Sequence, residues 1–251
     1  MARIPIALQL YSIRDDCKKD FVGSLKAVSK MGYEGVEFAY NYGNLSAKEL
    51  KKIITDLNLK PAGAHIPLGE LEGDKLPQTI AYHKELGNPF LIVPGIPEEL
   101  RKTRAQWKAM AERFNVLSDA LKKDGLRTGY HNHHVEFQPL EGELPWDTFF
   151  ANTKPEVIMQ VDTGNALHGN CDVVPFVEKY PGRALTVHVK EYSKTNDKAL
   201  IGEGDVDFKK FWKLCEGVGK TQWYIVEQES YAFPPLECVD RCLKKMKELT
   251  R

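Results

Sequence analysis

Eight times along this chain a short β-rich run gives way to a run with helical spacing, and that alternation limits the fold more than any other feature. Residues 4–10, 35–39, 61–66, 90–93, 128–133, 157–161, 185–189 and 223–226 read as strands. Between and after them, 21–31, 46–57, 76–86, 103–123, 146–150, 173–180, 208–218 and 236–249 read as helices. Two stretches show the reasoning. Ser46 with Glu49 forms a capping-box pattern ahead of Leu50, Ile53, Ile54 and Leu57. In the first helix Phe21, Val22, Leu25 and Val28 share one face, and Gly32 ends it. Parallel strands need crossover connections, and helices supply them. Eight such units in 251 residues predict a closed (β/α)8 TIM barrel of the α/β class, as one domain over 1–251. An open doubly wound sheet is the alternative, but it usually carries a glycine-rich phosphate loop after its first strand. Here that strand runs into Gln9-Leu10-Tyr11-Ser12-Ile13-Arg14, without glycine.

Charge and cysteine content remove several function classes. Thirty-five basic residues balance 35 acidic ones, so the formal net charge is zero. That argues against a nucleic-acid partner held by bulk charge and against a polybasic membrane anchor. The apolar runs are only a few residues long, too short to span a bilayer. Five cysteines at 17, 171, 215, 238 and 242 form no C-x-x-C pair, so they read as packing thiols. With residues 1–10 reading as a strand rather than a secretory signal, the expected location is the cytoplasm. A homo-oligomer is compatible with everything in the sequence.

In such a barrel the chemistry gathers at the C-terminal ends of the strands. Six of these ends carry His, Asp or Glu: Glu37, His65, His131 with His133, Asp162, His188 and Glu227. A single histidine at a strand end is usually a structural hydrogen-bonding residue. Several carboxylates and imidazoles converging on one barrel mouth are costly to bury unless paired or bound to metal. Mixed nitrogen and oxygen donors suit one divalent ion, Mn, Co, Mg, Fe or Zn. Alternation along strand five places His131 and His133 on one face.

Taken together, Gly35-Val36-Glu37, Gly129-Tyr130-His131-Asn132-His133, Val161-Asp162-Thr163-Gly164-Asn165, Val187-His188-Val189-Lys190 and Val226-Glu227-Gln228, with 8–14 and 202–208, resemble the xylose-isomerase-like TIM barrels. That family contains sugar isomerases, epimerases and keto-inositol processing enzymes. The resemblance implies a divalent metal held by Asp162, His188 and Glu227. It places His131 where epimerases of the family carry a glutamate, with Glu136 as the alternative fourth ligand. The implied chemistry is removal of a proton α to the carbonyl of a keto sugar or inositol, with isomerisation or epimerisation to follow. Loss of the strand-five glutamate brings in the alternative of a dehydratase or lyase that eliminates a β-leaving group from a 3-keto glycoside or keto-inositol, and the Tyr-His-x-His run is similar to that of 2-keto-myo-inositol dehydratase.

The expected catalytic groups are His133, Glu136, Glu227 and Lys190; the expected substrate contacts are Glu37, His65, Arg14 and Trp146, with Phe137 as a second stacking candidate. Trp107 and Trp212 lie within helices and read as packing residues. Residues 202–208 read as a flexible lid or a helix entry. An abasic-site endonuclease shares the fold but needs a basic groove that these strand ends lack.

Overall fold

The computed structural model describes residues 3–250. Its strands are β1 (Ile6–Gln9), β2 (Gly35–Ala39), β3 (Lys60–His65), β4 (Phe90–Val93), β5 (Arg127–His131), β6 (Ile158–Gln160), β7 (Thr186–Val189) and β8 (Trp223–Val226). All pair in parallel, in the order β6-β5-β4-β3-β2-β1-β8-β7. The ends of that order meet without a full ladder. An isolated bridge joins Asp162 to His188. The Met159 N–H donates to the Arg183 carbonyl and the His188 N–H to that of Val161, both at 2.8 Å. The ring is closed, as the alternation predicts.

Ten α-helices occur among the described residues: α1 (Arg14–Lys19), α2 (Phe21–Met31), α3 (Ala47–Asp56), α4 (Leu76–Leu86), α5 (Arg104–Lys122), α6 (Pro145–Ala151), α7 (Thr163–His168), α8 (Val174–Lys179), α9 (Phe208–Glu216) and α10 (Pro235–Leu249). The expected capping box is present at Ser46, and α5 has a second at Thr103 with Gln106. Gly32 ends α2 at φ 93°, a left-handed cap that glycine adopts without steric cost. The short α1 and α7 are additions to the sequence reading. Both are six residues long, too short to show a hydrophobic period. No helix is long and apolar enough to cross a membrane among the described residues.

Side chains fill the barrel in two layers. At the N-terminal end Ala7, Phe90, Ile92, Ile158, Trp223 and Ile225 pack together. Two residues further along the same strands, Gln9, Gln160 and Glu227 replace Ala7, Ile158 and Ile225, and the interior turns polar while staying buried. Glycine makes room where the layers meet. A Cβ at Gly35 would lie 2.9 Å from the Trp223 ring, and one at Gly63 would lie 2.6 Å from Glu37 Oε1. A register shift between β2 and β3 sets Gly63 opposite Glu37. The outward faces of the strands pack against the helices, where Trp107 and Trp212 are buried as expected.

Candidate active site

His131 ends β5, Asp162 follows β6, His188 lies in β7 and Glu227 follows β8. One donor atom from each of these four lies within 4.8 Å of the others, and all four residues are buried. His188 Nδ1 is 3.2 Å from Glu227 Oε2 and 3.8 Å from Asp162 Oδ2. Asp162 caps α7: its Oδ1 accepts the Asn165 N–H at 2.6 Å. That bond fixes the carboxylate and leaves Oδ2 buried without a partner, as is Nδ1 of His131. Buried polar atoms rarely stay unpaired. Two unpaired donor atoms converging with an imidazole and a carboxylate fit a divalent cation bound by mixed nitrogen and oxygen donors.

The electrostatics agree. Burial, with Glu227 close by, raises the Asp162 carboxyl, against Lys190 and His188. Burial opposes charge on Glu227 too, but Lys190 and His188 hold it well below the usual carboxylate range. Two carboxylates here compete for the same cationic neighbours, a conflict that a bound cation removes. Burial and the neighbouring imidazoles of His188, His65 and His133 drive His131 well below the ordinary histidine value. It is therefore neutral, the form that ligates metal.

Glu37 lies beneath the cluster and is sealed from solvent. Its oxygens accept from Gln9 Nε2 at 2.7 Å and Gln160 Nε2 at 2.8 Å, and lie 2.6 Å from His188 Nε2. Burial raises this carboxyl, but His65 and His188 outweigh it and leave it below its ordinary value. Glu37 was expected to touch substrate; instead it orients His188, whose other nitrogen then faces the donors. Burial likewise opposes charge on His188, yet Glu37 and Glu227 push it up to about 10. His65 stacks on His188 at 5.1 Å between ring centroids, bonds Gln160 Oε1 at 2.8 Å and borders a cavity of about 520 Å³.

The loop after β5 differs most from expectation. β5 stops at His131, so His133 lies on the loop, exposed, with its ring 5.3 Å from that of His131. Glu136 is turned inward: it accepts the Tyr130 hydroxyl at 2.6 Å and the His133 N–H at 2.7 Å. Both oxygens are engaged in shaping the loop. Trp146 and Phe137 were expected to stack on a sugar, but they pack on each other in the core at 5.7 Å, with Trp146 also against Phe150 at 4.4 Å. An aromatic residue near a site loop has no sequence mark that separates core from platform.

Lys190 Nζ bonds Glu229 Oε1 at 2.5 Å and Asn165 Oδ1 at 3.1 Å, and lies 3.7 Å from Glu227 Oε2. Burial disfavours its charge, but Glu227, Asp162 and Glu229 raise it above the ordinary lysine value. Arg14 is spent at the rim: it donates to the Tyr231 hydroxyl at 2.7 Å and covers the Tyr11 ring at 4.6 Å. Residues 202–206 are tied down rather than loose. Glu191 accepts the N–H groups of Gly202 at 2.8 Å and Val206 at 3.2 Å. Asn132 escaped the sequence reading. It accepts the Asp162 N–H at 2.8 Å and donates to the Asp162 carbonyl at 3.2 Å, locking the β5 and β6 loops together.

A family model described as Xylose isomerase-like TIM barrel matches residues 25–249. Inosose dehydratase from Salmonella agona (strain SL483) is 25% identical over 168 residues, 59% of this chain and 55% of the relative. The chain thus spans about half the length of the curated relatives it matches. Among solved structures, a sugar phosphate isomerase/epimerase from Parabacteroides distasonis ATCC 8503 superposes with TM-score 0.83 at 25% identity, covering 100% of this chain and 96% of that one. The IOLI protein, solved with a bound zinc atom, shares the fold with TM-score 0.76 at 12% identity over 98% of each chain.

Proposed function

For a chain that belongs to the xylose isomerase-like TIM barrel family, we propose a metal-dependent enzyme that removes the proton α to the carbonyl of a keto sugar or keto-inositol and then expels a β-leaving group. One observation carries the second half. No carboxylate from β5 stands opposite Glu227: His131 takes that position, and Glu136 is bound to Tyr130 and the His133 backbone. The family's epimerases use a pair of glutamates, one on each face of the substrate, and β5 supplies none here.

His131, Asp162, His188 and Glu227 are the proposed ligands. A divalent cation there polarises a carbonyl and its neighbouring hydroxyl and makes the α C–H more acidic. His133 stands at the junction of two cavities, where its imidazole is the proposed base for that proton. Lys190, held charged by three carboxylates, offers an N–H to the departing oxygen. Glu37 keeps the His188 ring in place throughout.

The isomerase or epimerase outcome shares the first step, and the full-length similarity to the Parabacteroides protein favours it. Proton NMR of keto sugars incubated with the metal-loaded protein in heavy water separates the two. Elimination loses the leaving group, whereas isomerisation brings deuterium to carbon and retains every substituent. His133→Gln keeps its metal and turns over about 10²–10⁴-fold more slowly. Unchanged turnover in that variant removes His133 from the mechanism.

A further inference from the structure

The two cavities that meet at His133 and Glu229 differ in chemistry. One, toward β6 and β7, holds about 430 Å³ and presents hydrogen-bonding groups such as Asn165, Lys190, Ser193 and Asn196. The other holds about 520 Å³, and its wall beyond β3 and β4 is built from Pro67, Leu68, Pro94, Ile96 and Pro97, which offer no side-chain hydrogen bond. Tyr40, His65 and Pro67 also border a third space of about 410 Å³, lined further by Tyr42, Tyr82 and His83. Glu70 there is paired with Lys75 at 2.6 Å and the Thr79 hydroxyl with the Glu70 carbonyl at 2.8 Å, while Gln78 is exposed. Spaces of roughly 300–1,000 Å³ each take a drug-sized ligand, so a single six-membered ring at the metal cluster leaves this side unfilled.

Tyr40 is the wall that these spaces share, and its backbone is strained. Its φ is +59°, a region that bulky residues rarely occupy. The Asn41 N–H donates to the Ala39 carbonyl at 2.7 Å across it, closing a three-residue turn of the rarer, positive-φ form. Asn41 holds the turn by accepting the Gly43 N–H on its side chain at 2.9 Å. Glycine would adopt this conformation freely. Instead a tyrosine is held there, 52% exposed at the cavity mouth, with Tyr11 lining the same mouth. Strain kept at an exposed aromatic beside a site is a mark of function.

We propose that Tyr40, with Tyr42 and Tyr82 behind it, forms a subsite for a planar aromatic group attached to the reacting ring, so that the substrate is an aryl glycoside of a keto sugar rather than a free monosaccharide or inositol. This rests on the reading above that the reacting ring lies at the cluster. Aromatic rings gain from offset or edge contact with tyrosine, and Pro67, Leu68, Pro94, Ile96 and Pro97 offer a second sugar no side-chain hydrogen bond.

Calorimetric titration of the Mn²⁺-loaded protein with methyl glucoside, phenyl glucoside and cellobiose tests this. Phenyl glucoside is expected to bind about tenfold tighter than methyl glucoside, the size of one good aromatic contact with its buried area. Tyr40→Gly should bring the ratio to about one while melting no lower than the parent. Tyr40→Phe should keep the ratio. Equal binding of the two glucosides, tightest binding of cellobiose, or a ratio that survives Tyr40→Gly overturns the subsite. Deuterium exchange into the 3-keto derivative of phenyl glucoside, run on the same preparation, tells the two failures apart. Exchange with a flat ratio condemns the subsite alone, and absent exchange overturns the reading above and the subsite with it.

Discussion

The two ends of the barrel interior are built on the same eight strands and solve opposite problems. At the N-terminal end, Trp223, Phe90 and three isoleucines fill the space by shape and need no partners. At the C-terminal end, two residues along, buried carboxylates, amides and imidazoles fill a similar space, and each needs a partner. Glu37 finds three, whereas Asp162 Oδ2 and His131 Nδ1 find none. The polar end keeps donor atoms open to a ligand, whereas the apolar end is filled by its own side chains. A single strand can serve both because alternate residues face inward, and one step of two carries the chain from packing to catalysis.

The comparison breaks most visibly at Asp162. Asp162→Ala should lose stoichiometric metal by elemental analysis and reduce α-proton exchange by about 10³ or more, since a Lewis acid is worth several kcal/mol of barrier. Full metal content in that variant removes Asp162 from the ligand set. At the other end, Trp223→Ala should cost about 3–5 kcal/mol of stability by denaturant unfolding, yet leave metal affinity nearly unchanged. A large loss of metal affinity there would mean that the two layers are not independent.

Acid sensitivity has to be assigned before the polar end can be read by pH. His83, on α4 and outside both layers, is lowered by burial to about 4. Its Nδ1 faces the Asn88 amide nitrogen at 3.0 Å, which demands the neutral ring. An unfolded histidine titrates near ~6.5. Its contribution is thus fully present above that pH and is lost as pH falls toward 4, on the order of 3 kcal/mol in all. His83→Gln should flatten the melting-temperature profile between those limits. If the slope persists unchanged, the acid loss belongs elsewhere. The smallest effect is expected at Glu37. In Glu37→Gln an NH₂ replaces an oxygen facing the Gln9 or Gln160 amide donors, or the His188 ring. Metal affinity should fall about 10–100-fold, as is usual for the partner of a ligating imidazole. An unchanged affinity would make Glu37 a packing group.

The ring of strands was legible because each apolar run is short and bounded by helical spacing, and register between neighbours then follows from closure. The strand-end histidines and acids stood out because a polar residue inside a barrel has no packing reason to be there. What escaped was whatever depends on direction. Glu136 and Glu37 carry the same carboxyl group as Glu227, and only the fold shows that two of the three point away from the cavity. Trp146 was misplaced for the same reason. Gln9 and Gln160 passed as ordinary strand residues because an amide carries no charge to draw notice, although together they fix Glu37. Tyr40 left no trace in the sequence, since strain is a property of φ and not of residue type.

The seam between β6 and β7 has a consequence for motion. Every other neighbouring pair of strands is laced by a ladder, whereas this junction depends on a bridge between Asp162 and His188 and a few backbone bonds. Both residues also belong to the donor cluster. Whatever holds the Asp162 carboxylate to the His188 imidazole therefore latches the whole ring, and a ligand that binds only the closed form deepens that state by mass action. Opening along this line exposes the interior without first tearing a ladder. With a chelator present, the amides of β6 and β7 should exchange with solvent before those of β2 and β3.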